Sequence, residues 1–139
     1  MALYTQKTYD NALLIKAAAA VGSSAAGSII LDLGDGFMDA DVVIDVTAME
    51  VDTGNEIYTI SVEGSNVAAM TSGSVELASK FLGNNAAPAD ADTAIGRHVL
   101  PFRNELGGVL YRYVRIYTTV AGTIASGGIN YAAFLAKKS

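Results

Sequence analysis

A lone histidine is the residue of this chain that a catalytic site would most need. His98 is the only histidine among the 139 residues, and there is no cysteine. A catalytic triad would therefore use His98 as its general base, with a carboxylate such as Glu105 and a Ser or Thr from elsewhere. No Gly-x-Ser-x-Gly turn and no glycine-rich phosphate loop accompanies it. We therefore expect a structural or exposed histidine, no enzymatic activity and no cofactor.

Four aspartates lie close together in the segment DLGDGFMDAD, at Asp32, Asp35, Asp39 and Asp41. Carboxylate oxygens are the ligands that Ca²⁺ prefers, and the glycines would let a loop wrap around an ion. The spacing does not match an EF-hand, and no Glu stands at the required distance. The segment therefore predicts an acidic turn without a metal. A calcium site at Asp35, Asp39 and Asp41, in a carbohydrate-binding or adhesion β-sandwich module, stays open as the alternative.

Tyrosine and arginine alternate along one predicted strand near the C-terminal end. Tyr and Arg are enriched at the centres of protein interfaces, because each combines a large contact area with a polar tip. The sequence predicts a partner or self-association interface formed by Tyr111, Arg112, Tyr113, Arg115, Tyr117 and Arg103. One alternative is that this tyrosine face belongs to the core of the protein itself, and another is that both faces of the strand are partly covered.

Charge is unevenly distributed along the chain, whose formal net charge is -5. No Lys or Arg lies between Asp32 and Glu63, whereas arginines are concentrated from Arg97 to Arg115. The small number of basic residues argues against nucleic-acid binding, which depends on clustered Lys and Arg. Two interpretations stay open: acidic and basic strands neutralise each other as neighbours in one sheet, or they form opposite patches that guide contact with copies or a partner.

The elements that must position these residues have the pattern of β-strands. Alternation of apolar and polar residues predicts strands over 41–49, 56–63, 75–82, 97–102, 110–119 and 129–136. The turn DTGN at 52–55 predicts that the first two form a hairpin, and Pro101 favours a strand end or an edge strand. Short strands separated by Gly, Asn and Asp turns predict an all-β protein, an antiparallel β-sandwich of jelly-roll type.

The first 28 residues differ in composition from the rest. They are rich in Ala and Ser, and Asp10 or Asn11 would cap a short helix that runs to Ala20. An extended N-terminal arm is the other interpretation. We therefore predict an arm or short helix over 1–28 and a single β-sandwich domain over 29–139. No run of about 18 apolar residues and no secretory signal is found, so no membrane association is expected.

Three segments of the chain resemble the small capsid cement, or decoration, proteins of tailed bacteriophages. They are GRHVLPFRNE at 96–105, YRYVRIYTTVAGTIASGGINYAAFLA at 111–136 and ILDLGDGFMDADVVIDV at 30–46. The resemblance implies a virion structural protein of jelly-roll type, made in the bacterial host cytoplasm and located on the outer surface of the capsid. It also implies that the protein joins neighbouring major capsid protein subunits and forms a homo-oligomer, a dimer or trimer, at local symmetry axes.

Overall fold

The computed structural model describes residues 13–83 and 95–137, and this part of the chain is all-β, with antiparallel strands and no helix. The absence of a helix also means that nothing in the described ranges has the helical length and apolarity needed to cross a membrane. The strands are β1 (Leu14–Val21), β2 (Ala25–Ala26), β3 (Leu31–Asp32), β4 (Asp39–Met49), β5 (Ile57–Ser65), β6 (Val75–Gly83), β7 (Gly96–Arg103), β8 (Glu105–Leu106), β9 (Val109–Leu110), β10 (Tyr113–Ala121) and β11 (Ile129–Lys137).

Two antiparallel sheets form the body of the protein. Sheet A has the strand order β1-β11-β4-β7, and sheet B has the order β2-β10-β5-β6. The short strand β3 pairs with the same edge of β10 as β2 does, further along the strand. A small separate hairpin is formed by β8 and β9. The arrangement is sandwich-like, because side chains from both sheets contribute to one hydrophobic core.

The core is built from alternate residues of the long strands, as the period of two requires. A fully buried Ile or Val side chain contributes about 2 kcal/mol by its removal from water. The fully buried aliphatic residues come from both sheets, and they include Val42 and Ile44 of β4, Ile60 and Val62 of β5, and Val114 and Ile116 of β10.

Strand β4 is buried on both of its faces. Val42 and Ile44 point into the core between the sheets, whereas Val43 packs with Phe134 and Ala136 in a second apolar cluster. The guanidinium of Arg97 lies 5.5 Å from the centre of the Phe134 ring. Burial on two faces accounts for the nearly continuous run of apolar residues in this strand, which is typical of a strand covered on both sides.

The N-terminal region does not form the helix that its composition favours. Residues 14–21 are the extended strand β1, which pairs with β11, so the predicted helix is wrong over these residues. Ile15 is fully buried, and the Lys16 ammonium donates to the carbonyl oxygen of Tyr131 at 2.8 Å. Pairing and burial outweigh the helix propensity of the alanines here. Strand β1 thus belongs to sheet A and β2 to sheet B. Residues 1–12 of the predicted arm lie outside the described residues.

The predicted hairpin between β4 and β5 is also wrong. Both strands exist close to their predicted bounds, but β4 lies in sheet A and β5 in sheet B. Residues 50–56 therefore connect the two sheets and do not turn the chain back along the same one. Glu56 accepts hydrogen bonds from the backbone N–H groups of Thr53 and Asn55, both at 2.9 Å, and so holds this connection in shape.

Four other strand predictions are confirmed with small changes of boundary, and one of them is β11, which covers the predicted segment 129–136. Strand β6 covers the predicted segment 75–82, and β10 begins at Tyr113, three residues after the predicted start. Strand β7 lies at the edge of sheet A, which is where Pro101 was expected, because proline has no N–H group to donate to a neighbouring strand.

Candidate interaction surface

His98 lies on the inner side of β7, where a reactive histidine would have little access to a substrate. It is buried, and it stands opposite Ile44 in the register between β7 and β4. Along this strand the buried positions alternate with exposed ones, and Leu100 and Phe102 follow His98 on the buried side. This placement gives His98 a role in the packing of the edge strand.

The four aspartates of the acidic segment are separated by the structure. Asp32 and Asp35 both bind the guanidinium of Arg112, with shortest N–O distances of 2.7 and 3.0 Å. Asp39 and Asp41 belong to β4, and Asp41 is buried. Within residues 13–83 and 95–137 there is no group of three or more side chains that could hold a metal ion. No observation therefore favours the calcium-dependent alternative.

Arg112 forms ion pairs with two aspartates of this segment. Its guanidinium binds both oxygens of Asp32, at 2.7 and 2.9 Å, in the paired geometry that suits arginine and carboxylate. This contact, followed by a hydrogen bond from the N–H of Gly34, lowers the pKa of Asp32 to about 2. The same carboxylate raises the pKa of Arg112. The pair is therefore ionised at neutral pH and fixes the loop that follows β3.

The other arginines of the predicted interface also have acidic neighbours within the chain. Arg115 of β10 binds Glu63 of β5 at 2.9 Å, and both side chains are only about one-fifth exposed, at 21% and 22%. Arg103 lies 3.8 Å from Glu105, a longer contact at the surface. For Arg115 and Glu63, the interpretation that acidic and basic residues neutralise each other across neighbouring strands is confirmed.

The predicted tyrosine and arginine interface divides into two groups. Tyr113, Arg115 and Tyr117 alternate with buried residues of β10, so they lie on the outer face of sheet B, and all three are partly exposed. Tyr111, Arg112 and Arg103 lie at one end of the sandwich, outside β10. The core alternative for the tyrosine face is wrong, because the core of β10 is formed by Val114 and Ile116.

One end of the sandwich exposes an unusual number of large hydrophobic side chains. We call it the apolar end, and it consists of the loops 33–38 and 66–74 and the segment 104–112, which includes the β8–β9 hairpin. Surface hydrophobic residues are normal when they are scattered, but a group of them marks an interaction site. Five of the eight exposed large hydrophobic residues in the described part of the chain lie here: Phe37, Val67, Leu106, Val109 and Leu110.

The loops of the apolar end are held together by a buried asparagine. Asn104 is fully buried, and its side-chain amide donates to the carbonyl oxygens of Gly36 at 3.0 Å and Tyr111 at 3.1 Å. Its side-chain oxygen accepts from the N–H of Met38 at 2.8 Å. Asn104 thus uses one planar amide to join the loop 33–38 to the segment 104–112.

A second asparagine joins the third loop to the same end. The amide of Asn66 donates to the carbonyl oxygen of Leu110 at 2.9 Å, and its side-chain oxygen accepts from the N–H of Arg112 at 3.0 Å. The exposed hydrophobic residues therefore stand on cross-linked loops. Such a surface loses little conformational freedom when it binds a partner.

The turn of the β8–β9 hairpin is marked in the sequence by a pair of glycines. Gly107 and Gly108 both have positive φ, at 61° and 86°, which is the requirement of a type I′ turn. The flanking residues are Leu106 and Val109, so a Gly-Gly pair between apolar residues predicts a hairpin. Phe37 and Val67 have no comparable signal, because their exposure depends on loops that are distant in the sequence.

Two cavities that the described residues form near the apolar end are small and open, whereas a larger one, of about 410 Å³, lies at the opposite end beside Glu50 and Asp52. One, of about 260 Å³, is lined by Leu13, Met38, Ala40 and Leu135 among others. Another, of about 280 Å³, lies beside Leu77 and Phe102. Pockets that enclose a small molecule usually have about 300 to 1,000 Å³. The arrangement is therefore better suited to contact over a broad surface than to enclosure of a ligand.

No model of a protein family matches the sequence, and no curated protein matches it.

Proposed function

We propose that this chain is a structural virion protein that binds the outside of a tailed-phage capsid and cements neighbouring major capsid subunits. The observation that carries the proposal is the apolar end, a group of exposed hydrophobic side chains on loops fixed by Asn104 and Asn66. The sequence resemblance supplies the identity of the partner. A protein of this kind works on the virion, after synthesis in the bacterial host cytoplasm.

The strand order supports the jelly-roll part of the proposal. When β2 and β3 are taken as one interrupted strand, the eight strands of the body run 1-8-3-6 in sheet A and 2-7-4-5 in sheet B. This order is the one expected of two Greek keys folded into a jelly roll, an architecture of viral capsid, lectin and cupin domains. Fold alone does not carry function, so the argument rests on the surface and not on the topology.

The two groups of interface residues suit two kinds of contact. In our proposal the apolar end binds the capsid, and Arg103, Tyr111 and Arg112 border that contact. The outer face of sheet B, with Tyr113 and Tyr117 on either side of Arg115, contacts another copy of the chain at a local symmetry axis. Tyrosine suits such a contact because it buries a large area with little loss of side-chain freedom.

In our proposal, many copies of the protein together stabilise the capsid. Packed DNA pushes the capsid subunits apart, and each copy that buries surface across a seam opposes this by its own binding free energy. Copies linked to one another bind with a high effective concentration, so each contact contributes without being strong alone. The symmetry of the shell repeats the same contact at every equivalent position.

The proposal is tested by sedimentation of the purified protein with empty tailed-phage heads that lack accessory proteins. We expect the protein to sediment with the heads and to raise the force or temperature at which they break. The double variant Leu106→Asp, Val109→Asp should lose about tenfold or more in binding, because charged groups replace exposed apolar contacts. Electron microscopy of the same heads should show added density on the outer surface.

The matched control is Val99→Asp, since Val99 is a similarly exposed valine on β7, away from the apolar end. Thermal unfolding of each variant separates lost binding from lost folding. Wild-type protein that stays in the supernatant would overturn the proposal, and so would a folded double variant that binds as well as Val99→Asp.

A further inference from the structure

The charged border of the apolar end carries an excess of negative charge. Asp32 and Asp35 share the single guanidinium of Arg112, so this group has two carboxylates for one cation. Asp35 is 93% exposed, whereas the Arg112 side chain is 41% exposed. Coulombic attraction to a partner therefore acts mainly through Asp35, the most accessible charge of the group.

Arg103 and Glu105 form another charged pair at this end, 3.8 Å apart, in which one charge offsets the other. Glu105 belongs to the β8–β9 hairpin, which also carries Leu106 and Val109. Asp39 is exposed and lies opposite Arg103 in the register between β4 and β7. Among the described residues of the apolar end, the exposed hydrophobic side chains are thus accompanied by more acidic than basic groups.

We propose that the apolar end binds a protein surface that is hydrophobic at its centre and carries lysine or arginine beside it, on a partner other than a second copy of this chain. This deepens the proposed function, on which it rests, by stating the chemistry of the capsid surface. Opposite charges beside an apolar contact speed association and fix its orientation.

A second copy is a poorer occupant of this surface. Two copies that met through their apolar ends would bring two Asp35 side chains near each other, and each chain has a net charge of -5. Like charges at a contact suppress association. Phosphate-rich surfaces, such as nucleic acid or an anionic membrane, are repelled for the same reason.

The test uses two short synthetic peptides with the same apolar centre, one flanked by lysines and the other by glutamates. Binding to the full chain is followed by the NMR shifts of backbone amides. We expect the lysine peptide to bind about tenfold more tightly and to shift amides in 33–38, 66–74 and 104–112. Raising the salt concentration from about 0.05 to 0.3 M should weaken its binding.

Charge reversal at one position sharpens the test. Asp35→Lys should remove the preference for the lysine peptide, and its high exposure makes disruption of the fold small. Asp52→Lys is the matched control, because Asp52 is also an exposed loop aspartate but lies at the opposite end of the sandwich. It should keep the preference of the wild type.

The results that would overturn this inference differ from the result that would overturn the proposed function. Equal binding of the two peptides, binding of neither, or an unchanged preference in Asp35→Lys would overturn the inference. Light scattering that shows a dimer abolished by Leu106→Asp would assign the surface to a second copy and also overturn it. The proposed function fails separately, if the protein does not bind phage heads while the lysine peptide is still preferred.

Discussion

The loops at the two ends of the sandwich present different surfaces to solvent. At the apolar end, large hydrophobic side chains such as Phe37 and Leu106 are about half exposed, at 57% and 48%. At the other end, which we call the polar end, the loops 50–56 and 122–128 expose residues such as Asp52. Phe81 and Ile95 are exposed towards the polar end as well, but they lie outside these two loops. The loops of the two ends therefore differ in the chemistry that they expose.

The polar end is as firmly connected as the apolar end. The side-chain oxygen of Asn55 accepts from the N–H of Thr123 at 3.0 Å, which joins its two loops. Glu50 accepts from the N–H of Ser126 at 2.9 Å, and Glu56 is fully buried beneath them. Rigidity is therefore common to both ends. The exposed chemistry is what distinguishes them.

Acidic groups are concentrated beneath the polar end. The Tyr58 hydroxyl donates to the carbonyl oxygen of Glu50 at 2.6 Å, and burial together with Glu50 and Glu56 raises the pKa of Tyr58 to about 12. The Oε2 atom of Glu50 is buried and accepts no hydrogen bond from the described residues. At this end the buried Glu56 side chain thus supports the loops together with Asn55, whereas Asn104 and Asn66 hold the loops at the other end.

The largest effect is expected from a glycine of the polar end. Gly122 has a φ of 91°, and a Cβ atom there would overlap the backbone carbonyl of Asn55. Gly122→Ala should lower the free energy of unfolding by about 3 kcal/mol, measured by urea denaturation. Gly107→Ala is the matched comparison at the apolar end, where a Cβ has open space. It should cost about 1 kcal/mol, from the positive φ alone. Equal costs would show that the loop contact at the polar end is not tight.

The asparagines that fix the two ends should differ, by a smaller amount, in how much they contribute to the free energy of unfolding. Asn104→Ala removes the hydrogen bonds that a fully buried side chain makes to Met38 and Gly36 and should cost about 2 kcal/mol. Asn55→Ala should cost about 1 kcal/mol, because Asn55 is exposed and water replaces its contacts. Urea denaturation gives both values. Asn104→Ala should also broaden the NMR signals of 33–38, and sharp signals there would contradict its role as a link.

The strands of the sandwich could be predicted where one face is buried and the other is not. Strand β7 alternates strictly between exposed and buried residues, and the sequence predicts it within one residue at each end. Strand β1 shows no such pattern, because its residues 17–20 are exposed alanines that favour a helix in isolation. Its conformation is decided by pairing with β11, which begins more than 100 residues later.

The candidate site was predictable only in part, for a related reason. Tyr111, Arg112 and Arg103 belong to the predicted interface and do border the apolar end. The hydrophobic residues at its centre could not be recognised, because apolar residues in loops usually pack inward. Their exposure depends on Asn104 and Asn66, whose side-chain amides form hydrogen bonds between residues that are 44 to 68 positions apart in the sequence. A single sequence carries no local pattern for such links.

The smallest effect concerns the response of the two ends to acid. The pKa of Asp32 is lowered to about 2 by Arg112. Burial raises the pKa of Glu56, but hydrogen bonds to its carboxylate, including that from the Thr53 N–H, outweigh burial and lower the pKa to about 2. A lowered pKa in the folded state means that each group stabilises the fold above about pH 4, and that this contribution is lost as the pH falls towards 2. Asp32→Asn and Glu56→Gln should each flatten the fall in unfolding free energy over that range.

Salt distinguishes the two ends in the same experiment. The pair of Asp32 and Arg112 is exposed, so about 0.5 M salt should screen it and bring the acid titration of the wild type closer to that of Asp32→Asn. Glu56 is fully buried and its partners are hydrogen bonds, so salt should leave the difference between wild type and Glu56→Gln unchanged. Equal salt responses of the two differences would mean that both carboxylates act through screened surface charge. The contrast between an exposed ion pair at one end and a buried carboxylate at the other would then be lost.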